Sequence, residues 1–441
     1  MTIMRRLSFL IAIVLVVVIA LSVMTSNGAE TSLRGYWAKV YNGNYVRGGV
    51  SALVKTENGI YLVGGISFPN SDKGFIARLS EEGEVSKAVG YGVMGLDCMF
   101  EGGAALGRNL MVAGILHNGT FGNRRLMIAK IGENMKPLWA ETFNISVFPE
   151  LAGIEVVDDG ILVAGGFVGE KDGVFVMKLN DKGEVLWTRL YISEGFLVPT
   201  GMAPDGEGGF LLLGVEVDYG SSKMVLIDID GKGKVKWAKA YKEGVYGNAI
   251  LKEGERIIVV GEIGNGLEGE NRGDVFVALL NEDGNVIWAK AYGSEEMDFG
   301  GTAGLLDGGI VVAGIYGGKI VSGIPPRVEN YTIWILNLEK NGKVRWEKAY
   351  WRGYPSFVVP DGDSILIGGF LISGNESRIF LARIKGDGSS PDSGITPDYD
   401  VHEVRLKATN FELREEELKV KALRVEFETQ NIPLEAEPIR S

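Results

Sequence analysis

The chain has 441 residues, a formal net charge of −12 at pH 7, 46% apolar and 23% charged residues. That acidic balance argues against nucleic acid and anionic membrane surfaces as partners, since both select a basic face. A single cysteine, Cys98, excludes an intrachain disulfide, and two histidines, His117 and His402, exclude a histidine-rich metal centre and disfavour a Ser-His-Asp triad.

At the N-terminus, Arg5 and Arg6 precede an apolar run over 7–24. The run fits a secretory signal or a short membrane anchor, and either one exports the remainder of the chain. Residues 1–29 are assigned to this segment, which is the only expected contact with a membrane. Four Asn-x-Ser/Thr sequons, at Asn118, Asn144, Asn330 and Asn375, fit an exported or cell-surface chain. One glutamine in the whole chain, with abundant Lys, Glu, Val and Ile, suggests a heat-adapted source.

From Trp37 onward the chain repeats. The motif Gly-x-Val-x-Trp-x-Lys/Arg-x-Tyr recurs as "GEVLWTRLY", "GKVKWAKAY", "GNVIWAKAY" and "GKVRWEKAY", with worn copies "MKPLWAETF" and "GEVSKAVGY". Trp37, Lys87, Trp139, Trp187, Trp237, Trp288 and Trp346 mark the register, in steps of 50, 52, 48, 50, 51 and 58 residues. A period near 50 matches a four-stranded propeller blade rather than a helical repeat. Each unit holds four short β runs separated by turn residues, for example "AGIEVV", "ILVAGGF", "GVFVMKL" and "EVLWTRLY". Glycine, 64 of 441 residues, falls at those turns and at the end of the second run, where close packing of sheets near a narrow axis is expected.

The Trp strand is expected to lie outermost in its blade. The second residue after the tryptophan is basic in five units (Lys39, Arg189, Lys239, Lys290, Lys348). Such a residue guards an open edge against strand addition and can lie over the adjacent ring. The last unit, 355–386, has three strands and no Trp strand, whereas "YWAKVY" at 36–41 is a Trp strand with no unit. Together they complete one blade. The expected architecture is therefore an all-β, seven-bladed propeller over 33–386, closed by its N-terminal strand.

The turns "NDKGEVLW", "NEDGNVIW" and "EKNGKVRW" resemble the tryptophan-docking repeats of quinoprotein-like β-propellers, over about 36–386. Dehydrogenases of that family hold pyrroloquinoline quinone with calcium and a vicinal disulfide. Cys98 alone cannot make that disulfide, and no Asp/Glu/Asn ligand set transfers onto this sequence. The resemblance thus implies the non-catalytic branch, which serves as extracytoplasmic binding or assembly scaffolds. The turns are not sialidase Asp boxes, because Trp187 follows Asp181-x-Gly183 one residue late.

No catalytic, cofactor-binding or metal-binding residue is assigned, and quinone or calcium rests on the resemblance alone. "DIDGKG" at 228–233 lacks the distal glutamate of a calcium loop and reads as a hairpin turn. Cys98, among bulky apolar neighbours, reads as a buried inert thiol. Of the variable loops, 316–331 is the longest, and its Pro325, Pro326, Arg327 and Glu329 are the candidate partner contact. Residues 387–400 read as a linker, and 401–441 as a short β appendage or a flexible tail. The tail is expected to matter less for stability than the strand at 33–42. The function expected is a monomeric binding or scaffold module for envelope proteins or glycans. The alternative is a channel-centred enzyme, either a quinone-dependent dehydrogenase or a glycan-active hydrolase or lyase.

Overall fold

The computed structural model describes residues 35–118, 124–218, 221–264, 273–321, 327–329, 331–373, 376–390, 394–397, 400–418 and 420–438. The apolar run at 7–24, and with it the signal-or-anchor expectation, lies outside them. Every regular element among the described residues is a β-strand, and no helix there is long and apolar enough to cross a membrane.

The strands pair antiparallel in four-stranded units. In one unit Phe196–Pro204, Phe210–Asp218, Ser221–Ile229 and Val235–Glu243 pair in that order. The next unit repeats the order with Val245–Glu253, Arg256–Ile263, Asp274–Asn281 and Val286–Gly293. One strand, Pro137–Val157, serves two units: its first part pairs with Arg125–Ile131 and its second with Gly160–Phe167. Second and third strands such as Gly160–Phe167 and Gly173–Leu179 are buried on both faces, which is why they read as unbroken apolar runs. First strands of successive units touch all the way round, and Gly353–Asp361 packs back on Arg47–Thr56. Trp37–Asn42 takes the fourth place in the unit of Gly353–Asp361, with Trp37 opposite Arg383 and Tyr41 opposite Ile379. The result is a propeller-like ring in which the two ends of the repeat region share one sheet.

The tryptophans join units to one another. The indole N–H of Trp37 donates to Glu81 O (3.1 Å), and those of Trp139, Trp187, Trp288 and Trp346 donate to Asp181, Gly231, Lys340 and Gly386 carbonyls (3.2, 3.2, 2.9 and 2.8 Å). Four residues on, Tyr41, Tyr191, Tyr241, Tyr292 and Tyr350 donate to the carbonyls of turn glycines in the same neighbouring units. The indole lies flat on that turn. At Gly83, whose φ is +74°, a Cβ would sit 2.5 Å from Trp37, and at Gly284 it would sit 2.8 Å from Trp237. Where Lys87 replaces the tryptophan, the turn residue is Met135, with φ 63° and 2% exposure. Its buried side chain joins the apolar cluster of that junction, and Lys87 Nζ donates to Asn134 O (2.9 Å). Lys39, Lys239 and Lys290 lie over Trp37, Trp237 and Trp288 at 5.6, 5.7 and 5.9 Å from the ring centroids.

The glycines near the axis act both between sheets, as where Gly65 would place a Cβ 2.7 Å from Met99, and within their own sheet. Each first strand carries a bulge, which leaves Ser51, Glu101, Ala152, Thr200, Asn248, Gly301 and Ser356 as the extra residues. Opposite the bulges lie Gly64, Gly114, Gly261, Gly314 and Gly369, where a Cβ would fall 1.8–2.1 Å from a first-strand carbonyl oxygen. Only glycine admits that approach.

Over its described length the C-terminal segment is β-structure laid on the ring. It runs round the outside of the ring in reverse order, adding a short strand to the outer strand of unit after unit. Asp400–Glu403 pairs with Val286–Gly293, Thr409–Asn410 with Val235–Glu243, Arg414–Glu417 with Val185–Ile192, Ala422–Arg424 with Pro137–Val157, Glu428–Asn431 with Val85–Gly92, and Glu435–Pro438 with Trp37–Asn42. Ile395 makes a single bridge to Ala349 at the start of the circuit. The amides of Val404, Phe411, Leu418, Val425 and Ile432, seven residues apart, donate to the carbonyls of Ala289, Ala238, Thr188, Ala140 and Ala88. The pairs Val404/Leu406, Phe411/Leu413, Leu418/Val420, Val425/Phe427 and Ile432/Leu434 each join a different inter-unit apolar cluster. Charge follows the same register: Lys290 faces Glu403, and Glu141 faces Arg424. The Trp strand is therefore not an open edge. Of its basic residues, Lys290 lies 3.4 Å from Glu403 of the belt, while Lys239 and Lys348 donate to Asn285 and the Gly388 carbonyl of the neighbouring turns.

Candidate functional site

The first strands bring the bulge residues together at the middle of the ring, all of them half-buried. Their polar atoms tie one first strand to the next. Ser51 Oγ donates to Phe100 O (3.1 Å) and Asn248 Nδ2 donates to Gly300 O (3.0 Å). Glu101 Oε2 accepts from Leu151 N (2.9 Å), and its Oε1 pairs with Arg124 at 3.4 Å. Glu101 is the one carboxylate in this set, and its oxygens are engaged by backbone and arginine. Glu155, also on a first strand, has its carboxyl pushed up to about 7 by burial.

A second grouping lies where second–third and outer–first strand connections meet, between the units of Arg47–Thr56 and Asp97–Leu106. The turn Val93–Leu96 is closed by Leu96 N donating to Val93 O (3.0 Å), and it lifts Met94 to 82% exposure. Immediately after it, Asp97 starts its strand opposite His117, the last residue of Asn109–His117. Asp97 Oδ1 accepts from the backbone N–H of Asp72 (2.9 Å), and its Oδ2 lies 3.8 Å from His117 Nδ1. Ligand-capable atoms of Asp72, Asp97 and His117 all lie within 4.8 Å of one another, and all three residues are half-buried. Asn118, the first sequon, is the exposed neighbour of His117.

The same place in another unit shows a different use of aspartate. Asp298 is fully buried, and its carboxylate accepts from Ser294 N (2.5 Å), Ser294 Oγ (2.7 Å) and Gly317 N (2.8 Å). Burial, opposed by these hydrogen bonds and aided by nearby Asp274, pushes it up to about 6. There the aspartate is a loop clamp with every oxygen occupied.

The other expected residues fall as follows. All six tryptophans lie at unit junctions, and Trp288 lines an apolar cleft there with Ile258, Leu279 and Ile310. Asn144 is bound by the belt, since its Oδ1 accepts from Lys421 N and its own N donates to Lys421 O (3.3 Å). Asn330, Asn375, Pro325 and Pro326 lie outside the described residues. Arg327 and Glu329 fall in Arg327–Glu329, which folds back on Gly309–Val321 as a hairpin rather than an irregular loop. Cys98 is buried, and desolvation pushes its thiol up to about 12, in keeping with an inert role. The Asp72–Asp97–His117 grouping and the Met94 turn have no sequence motif. Their only signal is the position of three turn-proximal residues once the units are aligned.

No family model matches the chain, and no curated protein matches it. Among solved structures it is similar to Sqt1 of Chaetomium thermophilum (12% identity, 83% of this chain and 89% of that one, TM-score 0.42). It is also similar to a putative 6-phosphogluconolactonase of Bacteroides uniformis (12%, 85% and 100%, TM-score 0.43). A third is the periplasmic gluconolactonase PpgL of Pseudomonas aeruginosa (12%, 84% and 99%, TM-score 0.42). At these scores the likenesses carry no argument about activity.

Proposed function

We propose that this chain is a non-catalytic binding scaffold: an exported seven-bladed propeller of the quinoprotein-like type that holds an envelope protein or glycan on one face. The observation that carries the reading is the make-up of the ring centre. Its bulge positions are filled by Ser51, Glu101, Ala152, Thr200, Asn248, Gly301 and Ser356; Ser51, Glu101 and Asn248 each bond a neighbouring first strand, and the other Glu101 oxygen is paired with Arg124. A dehydrogenase or glycosidase would need converging carboxylates or cations there to stabilise charge in the transition state. The docked indoles and the N-terminal strand in the last unit support the seven-bladed, quinoprotein-like assignment. The belt supports a face as the contact surface, because it occupies much of the outer edge. Met94, on the turn next to Asp97, is the most exposed of the large apolar side chains among the described residues.

The test is binding of the purified chain to envelope fractions of its native host, beside quinone analysis of the native protein. Saturable binding that Met94→Asp weakens at least tenfold, with no quinone, is the expected result. One quinone per chain, with dye-linked oxidation of an alcohol or aldose, would sink it.

A further inference from the structure

We propose that Asp72, Asp97 and His117 form a site for one divalent first-row transition cation, such as zinc, cobalt or manganese. The three residues come from three strand ends in two adjacent units, so the ring fixes their spacing. The His117 Nδ1 to Asp97 Oδ2 distance of 3.8 Å is too long for a hydrogen bond. It is near the ~3.4 Å separation of two ligands on one tetrahedral ion with bonds of about 2.1 Å.

Charge points the same way. Among the described residues neither Asp72 nor Asp97 is paired with a lysine or arginine. Lys73, next in the chain, is turned away and donates to Gln430 in the belt (2.8 Å). Two partly buried carboxylates therefore share a small space with one imidazole, and a dication would neutralise them. The contrast with Asp298 is direct: there, three donors occupy the carboxylate, whereas Asp97 takes one backbone N–H. One imidazole nitrogen with two carboxylates suits transition metals better than calcium or magnesium, which take oxygen ligands. Three protein ligands with partial exposure leave coordination positions for water or for a donor group of a bound partner. The site does not depend on the scaffold reading.

The chain's two histidines make the test clean. The full-length protein, labelled at histidine, is titrated with Co2+ and Mn2+ while both imidazole signals are followed, and Zn2+ binding is measured by calorimetry. Expected are one equivalent of Zn2+ per chain, broadening or shift of the His117 signals with His402 unaffected, and at least tenfold weaker binding in Asp97→Asn. A rise in melting temperature with Zn2+ should be lost in His117→Ala. Response of His402 instead, unchanged affinity in Asp97→Asn, equal competition by Ca2+, or no response of His117 at millimolar metal would each overturn the proposal.

Discussion

Phe427 offers the sharpest perturbation of the belt. Its ring meets Tyr91 edge-on (5.6 Å, 71°) and Phe100 likewise (6.0 Å, 77°), two residues that are themselves buried. Full burial of a phenylalanine removes roughly 150–250 Å² from water. At about half burial, Phe427→Ala forfeits on the order of 80 Å² of apolar contact, or about 2 kcal/mol at about 25 cal/mol per Å². The two edge-to-face pairs raise the loss to about 3 kcal/mol. Leu423, four residues earlier on the same belt, is 47% exposed and joins no inter-unit cluster, so Leu423→Ala should cost no more than about 0.5 kcal/mol. Chemical denaturation followed by tryptophan fluorescence reports the ring, because the indoles sit at unit junctions. If the ring's midpoint shifts equally for both variants, or for neither, the belt is not part of the ring's cooperative unit and the reasoning fails. The same logic reverses the expectation from sequence that the tail matters less than 33–42: truncation after 400 should lower the melting temperature at least as much as losing the N-terminal strand.

Further outcomes come from the same packing. Lys236 Nζ contacts Asp205 (2.8 Å) and Asp228 (3.1 Å), both carboxylates being nearly buried. Lys236→Ala should cost about 2 kcal/mol, below the ~3–5 of a fully buried pair because the lysine is partly exposed; no measurable change in denaturation midpoint would refute it. Lys87→Trp alone drives an indole against Met135 and should lower the melting temperature. Adding Met135→Gly should recover it, with a coupling of about 1 kcal/mol or more in a double-mutant cycle; simple additivity would contradict the docking account. Burial holds Glu155 and Glu262 at about 7 and Asp298 at about 6, above their ordinary values. The folded state binds these protons more tightly, so their stability contribution is full at low pH and is lost as pH rises through about 4 to 7. The melting-temperature difference between Glu155→Gln and wild type should therefore be near zero at pH 4 and positive by pH 8; a flat difference would count against it.

The ring was legible because its units carry a loud signature: an indole, a tyrosine four residues on, and a turn glycine that the indole needs. The exchange of Trp for Lys87 with Gly for Met135 was half legible, since the sequence showed the missing indole but not the turn residue that accompanies its loss. The belt was hidden by scale. Its period is seven residues, marked by two apolar residues such as Val425 and Phe427 among charges, and the fifty-residue period of the units masks it. Alternation at Val404, Leu406 and Ala408 showed β-structure but not its partner, because partner choice resides in the grooves between units. The bulges leave no mark beyond a glycine across the strand. Asp72, Asp97 and His117 lie 25 and 20 residues apart in ordinary turn contexts, and only the register of two adjacent units brings them together.

The central claim is a ring sealed outside by its own C-terminal segment. Hydrogen exchange over 401–438 of the full-length chain tests it most directly. The amides of Val404, Phe411, Leu418, Val425 and Ile432, each bonded to an outer-strand carbonyl, should exchange orders of magnitude more slowly than unstructured peptide, with protection recurring every seven residues. Uniform exchange of the segment within the dead time would contradict the account.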